Sequence, residues 1–397
     1  MSHAPANKLK SVFLVGFFLT IALSLTGYID SSFAEKYVNL KTVGILFSLG
    51  SMAAIAYLAY LPKILGKLGT TRTFHLTSIV YLLAVLGMLY TGTPILFKVL
   101  FIIYLASGIG IYFVIDVLIE HFSRTGATGN VRGVSLVIYN IAYLIGPLLA
   151  GMILKNNSFE LVYLLAGIFI IIMILVYARD LEKVRFRSHH NGKSLWRNFL
   201  RLSKNKDLFH GYLVALALAF FFSWMAIYTP IYLREFMGFG WDKIGAIFAI
   251  MHIPYIILDL PIGRFLDRCS CEREFITLGF VVIGISTMAL ALIGSASFIF
   301  WAIGLALTRV GASFVQVGSE SYFFKRVTDE DSDMIAGFRN ATPVAYIIGP
   351  LVATLFLSFT SYNALFVILG AIMLVCTTLS LALKNQYVRK HLANASR

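Results

Sequence analysis

"AYLIGPLLA", residues 142–150, and "AYIIGPLVA", residues 345–353, are nearly one phrase written twice, 203 positions apart in a chain of 397 residues. A proline inside an apolar helix removes a backbone donor and bends the helix, so each phrase predicts a bent helix. The duplication extends beyond the phrase. At a shift of 201, "VGILF" (43–47) falls on "IGAIF" (244–248), and "PKILGKLGTTR" (62–72) falls on "GRFLDRCSCER" (263–273). Tyr112, Phe113 and Val114 fall on Ser313, Phe314 and Val315 at the same shift. Two residues are then added to the second half before its Gly-Pro phrase. A shared apolar composition would not hold one register across several helices and their loops, so the chain reads as a duplicated unit.

The material being duplicated is membrane-spanning. The chain is 59% hydrophobic and only 13% charged, against about 45–50% and about 25% in soluble domains. Uncharged runs such as "SVFLVGFFLTIALSLTGYI" (11–29) and "ALFVILGAIMLVCTTLSLAL" (364–383) reach the roughly 20 apolar residues a spanning helix needs. They are continuous rather than alternating, which makes them helices and not barrel strands. Approximate spans are 11–29, 41–61, 74–91, 96–121, 133–154, 159–178, 209–233, 243–262, 275–294, 298–323, 335–357 and 362–383. These twelve form two sets of six. The expected domains are therefore a bundle over 1–178, a basic linker over 179–208 and a second bundle over 209–397. The linker stretch "SLWRNFLRL" (194–202) has the pattern of an amphipathic surface helix.

A formal charge of +14 would suggest nucleic acid in a soluble protein, but here the basic residues follow topology. Lys8, Lys10, Lys63, Lys67, Arg72, Arg264, Arg268, Arg273, Lys325 and Arg326 fall in alternate segments, with many more in the linker. The opposite segments keep few, among them Lys36, Lys155, Arg234 and Lys243. The bias predicts an integral protein of the cell membrane (plasma or inner), with both termini cytoplasmic. Cys269 and Cys271 would then lie in reducing cytosol as free thiols. No Cys or His cluster accompanies them, so no metal is expected. No phosphate loop, nucleophile triad or reaction centre appears, so neither a cofactor nor an enzyme activity is expected.

Three features together carry a family resemblance: the six-plus-six organisation with a basic linker, the Gly-Pro phrase on the fifth span, and the loop after the second span of each half. The chain resembles the major facilitator superfamily of secondary transporters over essentially its whole length. In that family the loop follows G-x-x-x-D-R/K-x-G-x-R/K-R/K. The second half has Gly263, Asp267, Arg268 and Arg273, with Ser270 and Glu272 departing from the pattern. The first half keeps Lys67, Gly69 and Arg72, while Pro62 and Gly66 replace the first glycine and the acid. Glycine permits a close turn, and an acid can cap the next helix and pair with a cation. The loops are thus candidate cytoplasmic gate latches, the alternative being solvated charged turns. Glu320 and Arg339 are candidate partners. Asp259 is a gate or capping acid, and Glu120 with Arg124 would serve the first half.

The resemblance implies an all-α fold of two six-helix bundles related by a parallel repeat, with the fourth and tenth spans lining a central cavity. Charges inside spans are costly and mark cavities or partners. Arg309, well inside the tenth span, would touch an anionic substrate group or pair with Asp116 on the fourth. Asp116 and Glu120 share a helix face. His252 on the eighth span is a candidate proton carrier or a packing residue. Ser24, Tyr104, Tyr112, Trp224, Tyr228, Ser313 and Gln316 are cavity candidates. Tyr104 stands where the family often has arginine, so no first-half proton relay is implied there.

Gly146-Pro147 and Gly349-Pro350 kink their helices. In the family a glycine-rich fifth helix accompanies proton antiporters, while packing between helices explains the same residues. The expected function is alternating-access transport of a small organic solute, proton-coupled and directed outward (an efflux antiporter). An importer or uniporter of the same fold is the alternative, and a transporter-like membrane sensor or interaction protein is the alternative of another class. Expected partners are the solute, protons and the lipid bilayer, with no nucleic acid and a monomeric state.

Overall fold

A computed structural model describes residues 4–123, 128–155, 158–182, 203–269, 271–326 and 337–383. Among them every regular element is helical, and twelve helices are long and apolar enough to cross a membrane. The elements are α1 (Ala4–Gly27), α2 (Asp30–Ala34), α3 (Leu40–Tyr90), α4 (Pro94–Ser123), α5 (Thr128–Leu154), α6 (Phe159–Asp180), α7 (Lys206–Ile231), α8 (Trp241–Cys269), α9 (Glu272–Leu290), α10 (Phe298–Phe324), α11 (Ala341–Leu357) and α12 (Tyr362–Leu381). A π-helical turn, Tyr232–Phe236, follows α7. The expected all-helical, twelve-span architecture is thus the architecture found. Most of the linker, residues 183–202 with its amphipathic stretch, lies outside the described residues, as does Arg124.

Two local departures from the hydropathy pattern have physical causes. The second and third spans run together as α3, broken only at Gly69, whose φ of 77° and ψ of 169° reverse the chain. That φ lies in the region that glycine alone enters without strain. The third span, Lys63–Tyr90, starts before its apolar run, and Thr73 Oγ1 there donates to the Gly69 carbonyl at 2.8 Å. The second departure is α2. Its sequence reads as loop, yet all five residues are buried. Phe33 anchors it among Phe97, Phe159 and Tyr163, with ring centroids 4.7–5.6 Å away.

The helices gather into two compact units, Met1–Gly192 with Leu233–Ala249, and Lys193–Tyr232 with Ile250–Arg397. In the first unit α1 packs on α4, α5 and α6, and α3 packs on α4 and α6. In the second α7 packs on α10, α11 and α12, and α9 packs on α10 and α12. Each of these pairs in one unit has its counterpart six spans later in the other, as a duplicated unit requires.

The Gly-Pro phrases hold equivalent positions in this pattern. A Cβ on Gly146 would collide with the Ser24 side chain and come within 2.8 Å of its backbone carbon. The Ser24 hydroxyl donates to the Ala142 carbonyl at 2.9 Å. A Cβ on Gly349 would collide with Ser223 Oγ. Trp224 Nε1 donates to the Gly349 carbonyl at 2.7 Å. In each unit the small residue lets the bent helix lie directly on the unit's first helix, the close approach that such residues allow between membrane helices.

Candidate functional site

In the second unit the charge of interest is Arg309. It sits inside α10, only 3% exposed. Its guanidinium carbon lies 5.3 and 5.2 Å from the ring centroids of Phe221 and Phe222 on α7. Nη2 is 3.8 Å from the Met251 sulfur, and Nε and Nη1 have no hydrogen-bond partner. Two aromatic faces offer a guanidinium some attraction. A thioether is a weak acceptor, however, and five N–H donors remain largely unused. A buried cation without an anion is costly, and among the described residues Nε and Nη1 of Arg309 are left without a hydrogen-bond partner.

One helical turn on, Ser313 donates to Asp259 Oδ1 at 2.5 Å and ties α10 to α8. His252 follows Met251 on α8 and is buried, its ring 6.1 Å from that of Tyr255. Gln316 is half-buried on α10, and its carbonyl accepts from Ser319 at 3.1 Å. Trp224 and Tyr228 use their polar tips on α11: the first on Gly349, the second on the Pro350 carbonyl at 3.2 Å. These two cavity candidates therefore act first as clamps on the Gly-Pro bend.

The first unit holds a buried charge that hydropathy did not bring out. Asp30, the first residue of α2, is 3% exposed. Tyr163 on α6 donates to its Oδ1 at 2.5 Å, and Tyr104 on α4 donates to its Oδ2 at 3.0 Å. The Tyr104 hydroxyl also meets Thr26 Oγ1 at 2.6 Å. The Tyr81 ring of α3 stacks on Tyr104 with centroids 5.3 Å apart. Burial pushes the Asp30 carboxyl up to about 7, against the opposing effect of the Tyr163 and Tyr104 hydroxyls. Tyr104, expected at a cavity, thus serves this acid. The available signal was position: Asp30 is the first acidic residue of the chain and directly abuts an uncharged span. A second tyrosine–threonine pair, Tyr112 and Thr20 at 2.7 Å, joins α4 to α1 further along. Asp116 is exposed on α4 and acts electrostatically on Tyr139.

The gate candidates divide. Lys67 and Arg72 are exposed. The side chains of Glu120, Asp267 and Arg268 lie outside what is described. A Cβ on Gly263 would sit 3.8 Å from Val317, an ordinary contact, so crowding does not demand glycine there. Glu320 and Arg339 pair with each other at 3.0 Å. The residue that breaks the loop pattern, Glu272, is the buried one: Lys325 Nζ pairs with it at 2.7 Å and also donates to the Leu266 carbonyl at 2.9 Å. Arg273 offers its carbonyl to Thr277 Oγ1 at 2.8 Å. Cys269 and Cys271, expected as free thiols, are bonded to each other, their Cα atoms 5.2 Å apart and so within reach of a disulfide.

Residues 12–253 and 240–396 match the model of a family described as the Major Facilitator Superfamily. A curated relative from Salmonella enteritidis PT4 (strain P125109), described as an uncharacterized MFS-type transporter YcaD, is 22% identical over 330 residues, covering 81% of each chain. The crystal structure of nucleoside transporter NupG superposes with a TM-score of 0.74 at 12% identity, covering 95% of this chain and 98% of that one. A POT family transporter in complex with 5-aminolevulinic acid gives 0.74 at 13% identity, covering 94% and 95%. At such identities the two solved structures speak for the fold alone.

Proposed function

Because the chain belongs to the Major Facilitator Superfamily, and is an integral membrane transporter of a small-molecule solute, we propose that it carries an organic solute with an anionic group by alternating access, with Arg309 as the group's contact. One observation carries this reading: a buried guanidinium whose Nε and Nη1 have no partner. A carboxylate or phosphate would accept two of these donors side by side and neutralise the charge, the pairing for which arginine's planar fork is suited. The alternating-access part rests on the duplicated bundles, the architecture in which one unit rocks against the other around a site. Protons are the proposed coupling ion. Gly146 is accounted for by its packing on Ser24, so the fifth helix does not argue for export, and the direction is left to measurement.

The test is a thermal-shift comparison on purified protein, using carboxylates, phosphomonoesters and uncharged isosteres of matched size. Ligands of the folded state raise its apparent stability. Anionic members are expected to stabilise the wild type, and Arg309→Gln to weaken that binding by about tenfold or more. Stabilisation by the uncharged isosteres alone, or undiminished anion binding in Arg309→Gln, would refute the proposal. A stabilising compound then serves as cargo in proteoliposomes with the pH gradient imposed in either sense. Equal rates in both would remove proton coupling.

A further inference from the structure

We infer that Asp30, with the hydroxyls of Tyr104, Tyr163 and Thr26, forms a proton-binding site inside the first unit. The inference deepens the transporter reading by naming where its coupling proton resides.

The hydrogen-bond geometry suits both states of the carboxyl. With Asp30 ionised, Tyr163 and Tyr104 each donate to a different carboxylate oxygen, at 2.5 and 3.0 Å. With Asp30 protonated, its O–H donates to the Tyr104 oxygen. Tyr104 then turns its own proton to Thr26 Oγ1 at 2.6 Å, and Thr26 donates to the Ala22 or Leu23 carbonyl at 3.4 or 3.3 Å. Hydroxyl groups donate and accept alike, so the chain reverses polarity by rotation alone, with no heavy atom displaced. One proton is gained and nothing else changes hands.

Among the described residues the hydrogen-bond partners of Asp30 are Tyr104 and Tyr163, and no cation is bonded to it. The titratable groups facing it are tyrosines: Tyr81 from α3, Tyr104 from α4 and Tyr163 from α6, with Tyr143 of α5 acting on Tyr81. The cation nearest in sequence, Lys36, is paired with Glu160 at 3.6 Å and lies over the Phe159 ring. The α2 segment and the residue after it carry further buried polar atoms. The Ser31 and Ser32 hydroxyls and Glu35 Oε1 are buried and have no protein partner. Glu35 is half-buried, and its carboxyl is pushed up to about 7 by burial and by Glu235.

An infrared titration of the full chain in nanodiscs, between about pH 5 and about pH 9, reads proton binding without requiring transport. The wild type is expected to show a buried carboxylic-acid C=O band that disappears with a midpoint near pH 7. Asp30→Asn should remove one such component and Glu35→Gln a separate one from the half-buried carboxyl, leaving the Asp30 component in place. Tyr163→Phe removes a donor to the ionised form and should raise the midpoint by about one unit, which a merely structural role would not do. A band unchanged in Asp30→Asn, an Asp30 ionised throughout, or an unmoved midpoint in Tyr163→Phe would overturn the site. Because no solute is involved, failure here is distinguishable from failure of the Arg309 proposal.

Discussion

The two units bury opposite charges and treat them differently. The first holds an acid, Asp30, with each carboxylate oxygen met by a tyrosine hydroxyl. The second holds a cation, Arg309, between two phenylalanine rings with donors left over. A duplicated scaffold therefore carries two unlike buried charges, one with its oxygens bonded and one with Nε and Nη1 unbonded.

The largest expected effect tests the sameness of the scaffold. Gly146→Leu and Gly349→Leu each drive a side chain into the serine of the unit's first helix. Overpacking of this kind costs about 1–3 kcal/mol or more, and far less monodisperse protein should be recovered in size-exclusion chromatography for both. If only one variant suffers, the Gly-Pro phrases are not equivalent.

Next is pH. The folded-state pKa of Asp30 is raised from 3.8 to about 7. The folded protein therefore binds more protons than the unfolded chain across that interval. The stabilisation is fully present below about pH 4 and is lost as pH rises through about 7. It is worth about 4 kcal/mol for a shift of this size. Asp30→Asn should flatten the decline in thermal midpoint over that window, with Glu35 accounting for a smaller residue of it.

The comparison itself is sharpest in a pair of apolar substitutions measured at about pH 5. Asp30→Leu orphans the Tyr163 hydroxyl, Tyr104 keeping its bond to Thr26, and should destabilise by about 1–3 kcal/mol. Arg309→Met removes an unpaired buried charge and should stabilise by about 1–3 kcal/mol while abolishing anion binding. Chemical-denaturation midpoints of the same sign for both would end the distinction drawn between the units.

Two ion pairs of the second unit give a further contrast, and one of them the smallest effect. Arg339→Ala breaks an exposed pair with Glu320 and should cost about 0–1 kcal/mol. Lys325→Met leaves the buried Glu272 with only the Ser321 hydroxyl among its described partners and should cost about 3 kcal/mol. Thermal midpoints of the two variants should differ in that order.

Much of this was legible in the chain. A charge inside an apolar span declares itself, and Arg309 was singled out for that reason. Asp30 was not, because it stands one residue beyond the uncharged run ending at Ile29, where an acid ordinarily faces water. Tyr104 was placed correctly on its helix but given a cavity role, since its partners, Thr26 and Asp30, lie 78 and 74 residues away. Glu272 looked like a blemish in a loop pattern and proved to be the buried acid of that loop.

The sequence by itself determined the twelve helices, their duplication and the places where small residues must stand. Those are one-dimensional properties: a bilayer sets the length of each apolar run, and a repeat preserves register. Only the tertiary structure decided which buried charges are satisfied. That depends on hydroxyls brought in from distant helices, such as Tyr163, 133 residues from Asp30, and on rings that fill the space around Arg309 without accepting its hydrogen bonds. Hydrogen bonding is local in space and not in sequence, so the chain names its charged groups while the fold assigns their partners.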